Sequence, residues 1–528
     1  MSLLTLTPEV LHDVLLNLDA VDLSCLSQTC KALSVYADSE ANPVLWRSLF
    51  HQLFDSLETS IRPGYSHSPV GAPVGVDYGR LVKERCRARG VIRSPHTDKK
   101  VCRPSQISRV APVRMADLPV SDRKIKQREH VIRALHGIYV TADNRFPGKS
   151  KNAKFLSSLL SDRSSVADWL TPPRPNRPAQ HPVDNEVDVD DDEDDVESQP
   201  PTILETETAL DVPENVENTT SSSDSHANID GDQDAAYSTR SVTKRRLSAR
   251  KRVLDSPIDD PDVTSMICQL HMAGISMAEI SWSSYKSGKA YREIVYKCSN
   301  FDERNHYGPF FKRDDGKRVV DWNMMNAVCQ VMALNVRSAW HQWAEPEEMY
   351  SILPYGFEKA VFWKQPRPER DWAAVTGNWS YIYAFIDYND FFAYNFAGDM
   401  PPPNRNRNDL EGISEAVGGV NTLRLRLMDE TDKDFERDED DVSMDEDTLY
   451  PPLQFTGESA GPNGSTFKGQ VSLLDDGSRH WTFVIRYSGA DRWQTECIEI
   501  GGRGVYGVWS DVLHEELSPC GPVWYFRE

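Results

Sequence analysis

Apolar residues recur at helical spacing near the start of the chain and at strand spacing near its end. Leu11, Leu15 and Leu18, with Val10 and Val14 beside them, follow Thr7-Pro8-Glu9. That triplet predicts a helix start: Thr7 accepts from an orphan N–H, Pro8 suits the first helical position and Glu9 complements the dipole. Asp19 and Asp22 predict a second capped helix, and Leu23, Leu26, Cys30 and Leu33 continue an apolar helical face. Asn42-Pro43 breaks the chain before one more short helix bearing Val44, Leu45, Trp46, Leu49 and Phe50. A bundle of about fifty residues buries its faces poorly alone. Leftover apolar residues on consecutive short helices therefore point to a docking partner.

Helical periodicity returns beyond this unit. The basic run from Arg80 to Arg93 reads as a solvated helix supporting the first unit. Val131, Leu135 and Ile138 share a face, as do Phe155, Leu156, Leu159 and Leu160, and Val166, Trp169 and Leu170 make a further one. Met266 and Leu270 mark another helix. Trp322, Met325, Val328, Met332 and Val336 recur at steps of three and four, which reads as core rather than a cofactor site. After Pro366 the period becomes that of a strand. Trp379, Tyr381, Tyr383 and Phe385 alternate against Ile382, Ala384 and Ile386, with Asp387 and Asp390 expected in a turn between strands. Leu423, Leu425 and Leu427 alternate in turn. Alternating runs with turn chemistry at Asp475-Asp476-Gly477 and Ser488-Gly489 continue as a meander to the end. Several antiparallel strands close into a barrel or sandwich to protect their edges. The expected fold class is therefore α+β and multidomain, with helices first and a mainly antiparallel β domain last.

Charge sharpens these boundaries. The net charge is −22, yet residues 184–197 hold ten acidic and no basic side chains, and residues 429–447 hold twelve acidic and two basic ones. The two tracts carry −10 each, so about −2 remains for everything else. A near-neutral folded part argues against nucleic acid as the main partner. The tracts read as disordered, solvated segments. The expected organisation is a helical module over 5–50, a helical linker over 51–170, a disordered acidic and basic linker over 171–258, and a β-rich domain over 259–528 interrupted at about 429–447. Two basic triplets in the linker, Lys244, Arg245, Arg246 and Arg250, Lys251, Arg252, form a nuclear-import candidate, and Ser248 and Ser256 are candidate phosphorylation sites beside them. No run of about eighteen apolar residues occurs, so no membrane span is expected. Nine dispersed cysteines without a C-x-x-C pair fit a reducing compartment, cytoplasmic or nuclear.

The N-terminal pieces, L-T-P-E-V-L-x-x-V-L, L-D-x-x-D-L, L-S-x-T-C-K and L-W-R-x-L, come in an order and spacing that resembles the F-box. The resemblance implies a three-helix module that binds the Skp-type adaptor of a cullin–RING ubiquitin ligase. Pro8, Leu11, Leu15, Leu18, Leu23, Cys30, Leu33, Leu45 and Trp46 match the family's adaptor-facing or core pattern. The family more often opens with Leu-Pro than with the Leu6-Thr7-Pro8 found here. It often carries an aromatic or Arg-Trp-like residue where Ala32-Leu33 stands. The C-terminal part, with Tyr307–Phe310 and Trp322, Gly377 to Asn395, and Gly469 to Trp524, resembles blocks common in fungal F-box proteins, particularly those of basidiomycetes. A more distant similarity is to the β-barrel substrate domain of animal cyclin-binding F-box proteins.

No motif for catalysis stands out. H-E-x-x-H, G-x-S-x-G, the Walker loop and the dinucleotide fingerprint are missing from the sequence. Gly501-Gly502-Arg503-Gly504 reads as a tight strand connection, and His480, His514, Cys497 and Cys520 lack zinc spacing. The expectation is a non-catalytic receptor with no cofactor or metal. Its partners are a Skp-type adaptor and a protein substrate, which Tyr381, Arg486, Arg492 and Trp509 would meet at the mouth of the β domain. Two alternatives stay open: an adaptor-binding protein with a non-degradative role, and a small-molecule or glycan-binding β domain fused to an F-box.

Overall fold

Four short helices open the chain in the computed structural model: α1 (Pro8–Leu16), α2 (Ala20–Ser27), α3 (Lys31–Tyr36) and α4 (Pro43–Leu53). The structure describes residues 5–57, 76–93, 120–142, 149–160, 260–274, 291–343, 371–396, 415–429, 450–459 and 464–528, except Asp19, Asp314, Asp315 and Glu516, together with single residues 360, 410, 413 and 432. The linker over 171–258, its basic triplets and serines, the face at Val166, Trp169 and Leu170, and most of the second acidic tract lie outside these residues. The opening module has four helices where three were expected, because the face from Leu23 to Leu33 is broken at Cys30, which is extended, into α2 and α3. The helix after Asn42-Pro43 forms as expected, and Asn42 caps it by accepting from Leu45 N at 3.2 Å. Thr7 flanks α1 in an extended conformation, but its side chain makes no capping bond to the helix backbone. Pro8 at the first turn supplies the start instead.

The opening helices bury their leucines against a helical scaffold made of α5 (Tyr78–Arg93), α6 (Val120–Val140), α7 (Lys151–Leu160) and α8 (Pro261–Gly274). The basic run in α5 supports the first unit as expected: Val82, Ala88 and Ile92 are buried, and Gly79 lies so close to Ser39 and Trp46 that a Cβ there would clash. Arg85 lies 4.9 Å over the Phe50 ring and 4.7 Å over Phe54, and burial lowers its pKa to about 10. Asp55, just past α4, caps α7. It accepts from Ser150 Oγ at 2.6 Å and Lys151 N at 2.8 Å, while its own N–H donates to Asn152 Oδ1 at 3.1 Å. Because Asp55 is buried, Asp55→Ala leaves these donors unpaired and should cost about 1–3 kcal/mol. Chemical denaturation of the chain checks this, and a loss within error would mean that water replaces the carboxylate.

β1 (Phe310–Lys312) and β2 (Arg318–Val320) form a hairpin ahead of the long helix α9 (Trp322–Trp343). β3 (Gly377–Ile386) then opens the β domain, followed by β4 (Glu415–Val417), β5 (Asn421–Leu427), β6 (Leu453–Ser459), β7 (Thr466–Leu473), β8 (Arg479–Tyr487), β9 (Ala490–Glu499), β10 (Val505–Asp511) and β11 (Gly521–Arg527). Eight of these strands pair antiparallel with their neighbours, and β11 returns to β3 with Tyr525 opposite Tyr381. The closure is thus a barrel rather than a sandwich. β4 extends β3 at one end. Ser488 and Gly489, both with positive φ, make the primed two-residue turn between β8 and β9 that suits strand twist.

Alternation sorts side chains to two sides of the barrel wall. Trp379, Tyr381, Phe455, Phe467, Trp481, Phe483 and Tyr525 belong to one buried cluster and fill the interior. Ile382, Ala384, Trp524 and Phe526 point outward into a second cluster with Met325, Val328, Met332 and Val336 of α9. The Gly501–Arg503 turn is the tight connection expected there: Gly504 has φ +100°, and a Cβ would meet Tyr525 O. One expectation fails locally. Residues after Ile386 form a helix, α10 (Tyr388–Asn395), where a turn between strands was expected. Asp387 caps it by accepting from Asn389 N at 2.9 Å, and the three-residue step from Phe391 to Tyr394 buries both rings. Asp390 thus sits in a helical first turn.

α8 belongs to both cores. Val263, Ile267, Leu270 and Ala273 join the helical cluster, and Met272 joins that of α9 and the barrel. Packing therefore runs without a break from the opening helices to the barrel wall. At this joint His271 Nδ1 lies 2.9 Å from Asn326 Oδ1 and 3.1 Å from Gln330 Nε2. Burial, with a smaller contribution from Arg503, lowers its pKa, while the Asn326 contact opposes the shift. Burial also lowers His306 and His514, the first helped by Arg318 and the second opposed by Glu496 and Asp511. The unfolded chain therefore takes up protons that the folded chain does not. The stability involved is fully present above the ordinary histidine value of about 6.5 and is lost as pH falls below it. Urea midpoints should drop between pH 7.5 and 5.5, and His271→Gln should flatten that slope; an unchanged slope would show that His271 protonates freely in the folded state.

Candidate functional site

Burial divides the nine residues singled out in the opening module. Leu11, Leu15, Leu23, Leu33, Leu45 and Trp46 are buried in the shared helical core. Leu18 and Cys30 are half-buried and Pro8 is exposed. Trp46 is fixed by a bond from Nε1 to Ala37 O at 3.0 Å and by Lys83 Nζ 4.6 Å over its ring. Among the described residues of the module, the large apolar side chains left in solvent are Val10 at 48 % and Val14 at 36 % exposure on α1, Val35 at 56 % on α3 and Val44 at 65 % on α4. α1 and α3 are tied by Tyr36 Oη donating to Pro8 O at 3.0 Å, and Asn42 Nδ2 donates to Tyr36 O at 3.2 Å. The module therefore holds its exposed valines on a braced frame.

The barrel is closed at one end and aromatic at the other. At the closed end Glu499 accepts from Arg527 at 3.1 Å and from Trp481 Nε1 at 3.1 Å, and lies 3.4 Å from Arg479. Arg527 also donates to Ala373 O at 2.7 Å. At the open end a ladder of rings climbs out of the interior. Phe483 stacks on Tyr525 at 4.1 Å, Tyr525 on Tyr381 at 5.6 Å, Tyr381 on Tyr383 at 6.4 Å and Tyr383 on Phe385 at 6.2 Å. Tyr383 and Phe385 are exposed, as are Tyr388 and Phe392 of α10. Gly418 allows this: a Cβ there would meet the Tyr383 ring.

The four residues expected at the mouth are spread over this end. Trp509 is half-buried on the rim, donates from Nε1 to Ala384 O at 3.1 Å and meets Trp493 edge-on at 5.1 Å. Arg492 is exposed beside it, 5.6 Å over the Trp493 ring. Tyr381 lies one step inside, its hydroxyl against Ser459 and Ser465, and burial raises its pKa. Arg486 lies on the outer wall, bonded to Asp491 at 2.7 Å. Tyr383 and Phe385 were legible as one face of a strand, but only barrel closure shows where that face leaves the core.

Among the described residues no group of histidine, cysteine and acidic side chains is arranged to hold a metal ion, and no helix is long and apolar enough to cross a membrane. The eight described cysteines are free thiols, and burial raises Cys329 to about 12 and pushes Cys268, Cys497 and Cys520 up further. Such thiols are poor nucleophiles.

Apolar side chains thus meet solvent in two places, the valines on the short helices and the aromatic rim of the filled barrel. The F-box domain family model matches residues 3–42, so the chain carries an F-box domain on α1 to α3. Leu45 and Trp46 lie beyond the match but share its core. No curated protein and no solved structure matches the chain.

Proposed function

We propose that this protein is the substrate receptor of a Skp–cullin–F-box ubiquitin ligase, with the opening helices bound to the Skp-type adaptor and the barrel bound to a protein substrate. The observation that carries this reading is the F-box domain match on helices that leave Val10, Val14, Val35 and Val44 in solvent. The receptor itself is non-catalytic. It acts by holding substrate lysines near a charged conjugating enzyme, which raises their effective concentration. The unbroken packing through α8 suits that role, because a rigid path fixes the distance between the two docked partners. Pro8 joins the valines on the adaptor side, while the buried leucines and Trp46 support them from beneath. On the substrate side the rim formed by Tyr383, Phe385, Trp509 and Arg492 supplies the aromatic and arginine side chains that dominate protein recognition.

The resemblance of the C-terminal blocks to those of fungal F-box proteins supports a source and role within that group, acting in cytoplasm or nucleus. The filled barrel interior favours recognition on the rim and wall over a small molecule held inside. Co-purification of the full chain with its Skp-type adaptor tests the reading. Stoichiometric capture is expected, and a folded chain that captures no adaptor would overturn it.

A further inference from the structure

A groove of about 360 Å³ crosses the outer wall of β6, β7 and β8, away from the aromatic rim. Ten of the described residues line it, and none of these is aspartate or glutamate, in a chain whose net charge is −22. Its cations are Arg318 from β2 and Lys468 from β7, with Gln454, Gln470, Ser472 and Thr482 between them.

The two cations are pinned apart. Arg318 lies 5.2 Å over the Phe310 ring and its Nη2 lies 3.4 Å from His480 Nδ1. His480 Nε2 is 2.5 Å from Glu496 Oε2, so these partners assign the tautomer: Nε2 donates to the carboxylate, and the Nδ1 lone pair faces the guanidinium. Glu496 is buried, accepts from Gln494 at 2.7 Å and does not line the groove. At the other end Lys468 and Arg486 both bond to the carboxylate of Asp491, at 3.1 and 2.7 Å, so two cations meet there. Ser472 pairs with His480 and Lys468 with Val484, so the two ends are four residues apart along β7. At about 3.3 Å per residue that is roughly 13 Å. An isolated anionic group reaches one end only. An extended peptide with acidic residues four positions apart reaches both and lays its backbone amides over Gln470 and Thr482.

We propose that this groove receives an extended acidic segment of the protein substrate, with carboxylates at positions i and i+4 engaging Arg318 and Lys468. The proposal rests on the receptor reading of the barrel. The test is fluorescence anisotropy of the full chain with a labelled Gly/Ser peptide carrying Glu-x-x-x-Glu. The comparison peptides carry Gln-x-x-x-Gln, adjacent glutamates, or a single phosphoserine. Because residues 429–447 bring twelve acidic side chains directly after Met428 on the groove's edge, the series is repeated on a chain with the acids of 433–447 changed to amides. The Glu-x-x-x-Glu peptide should bind about tenfold tighter than its glutamine form, and Arg318→Gln and Lys468→Gln should each remove most of that preference. Equal binding of the four peptides in both chains, a preference for the phosphoserine peptide, or a preference untouched by both variants would overturn the proposal. Adaptor capture is measured on the same samples. If capture holds while the peptide series shows no preference, the groove assignment fails and the receptor reading stands. If capture fails while the preference is present, the receptor reading fails instead.

Discussion

Replacing Glu499 with alanine should destabilise the barrel by about 3–5 kcal/mol, the usual cost of removing one partner from a buried ionic group. The Glu499 side chain is 1 % exposed and Arg479 4 %, so water replaces little of the lost carboxylate. Two guanidinium groups would remain, one lying 4.3 Å over the Trp379 ring and held by the carbonyls of Ala373 and Ala374, the other 5.6 Å over Trp372. Trp481 Nε1 would lose its acceptor as well. Glu499→Gln should be milder, because an amide oxygen still accepts one bond. Denaturation followed by tryptophan fluorescence reads the effect, since Trp379 and Trp481 flank the group. A loss under about 1 kcal/mol in the alanine variant would mean that the barrel end opens to solvent and that the ion group is not what closes it.

That ion group also shows where sequence reasoning runs out. Arg479, Glu499 and Arg527 come from three strands, and nothing in the spacing of three charged residues within alternating apolar runs marks them as neighbours. The runs themselves were legible, because a wall with one face inward imposes a period of two on β5 to β11. The pairing of β3 with β11 was not. It joins Trp379–Tyr383 to Val523–Arg527 across the whole domain, and only the geometry of closure decides between barrel and sandwich. The α10 helix was misread for a local reason. Residues 385–396 are rich in aromatics that fit a strand, and the burial of Phe391 and Tyr394 at helical spacing appears only once their partners on residues 291–300 are in place. In the opening module the leucine spacing marks an apolar face, and Leu11, Leu15, Leu23 and Leu33 are buried in the helical core. Marking a face as apolar does not say which partner covers it, and α5 to α8 cover it here.

The distinction between covered and uncovered apolar residues gives the largest expected effect on binding. Val10→Asp with Val14→Asp should weaken adaptor capture by about a hundredfold or more while leaving the fold intact. Both valines are i and i+4 on α1 and substantially exposed in the free chain, so carboxylates there remain hydrated until a partner covers them. Covering them then forfeits the apolar gain of two valines, roughly 3 kcal/mol together, and adds the cost of desolvating two charges. Leu15→Asp behaves oppositely. Leu15 is 1 % exposed within the helical core, so the carboxylate is buried on folding, and capture is lost because the module unfolds. Circular dichroism beside an adaptor titration separates the two cases. The expected pattern is native helicity without binding for the valine pair, and lost helicity for Leu15→Asp. Native helicity with undiminished binding for the valine pair would move the adaptor off α1. Val35→Asp and Val44→Asp would then show whether α3 and α4 carry the contact, and full binding by all of these variants would leave the exposed valines without a role in adaptor capture.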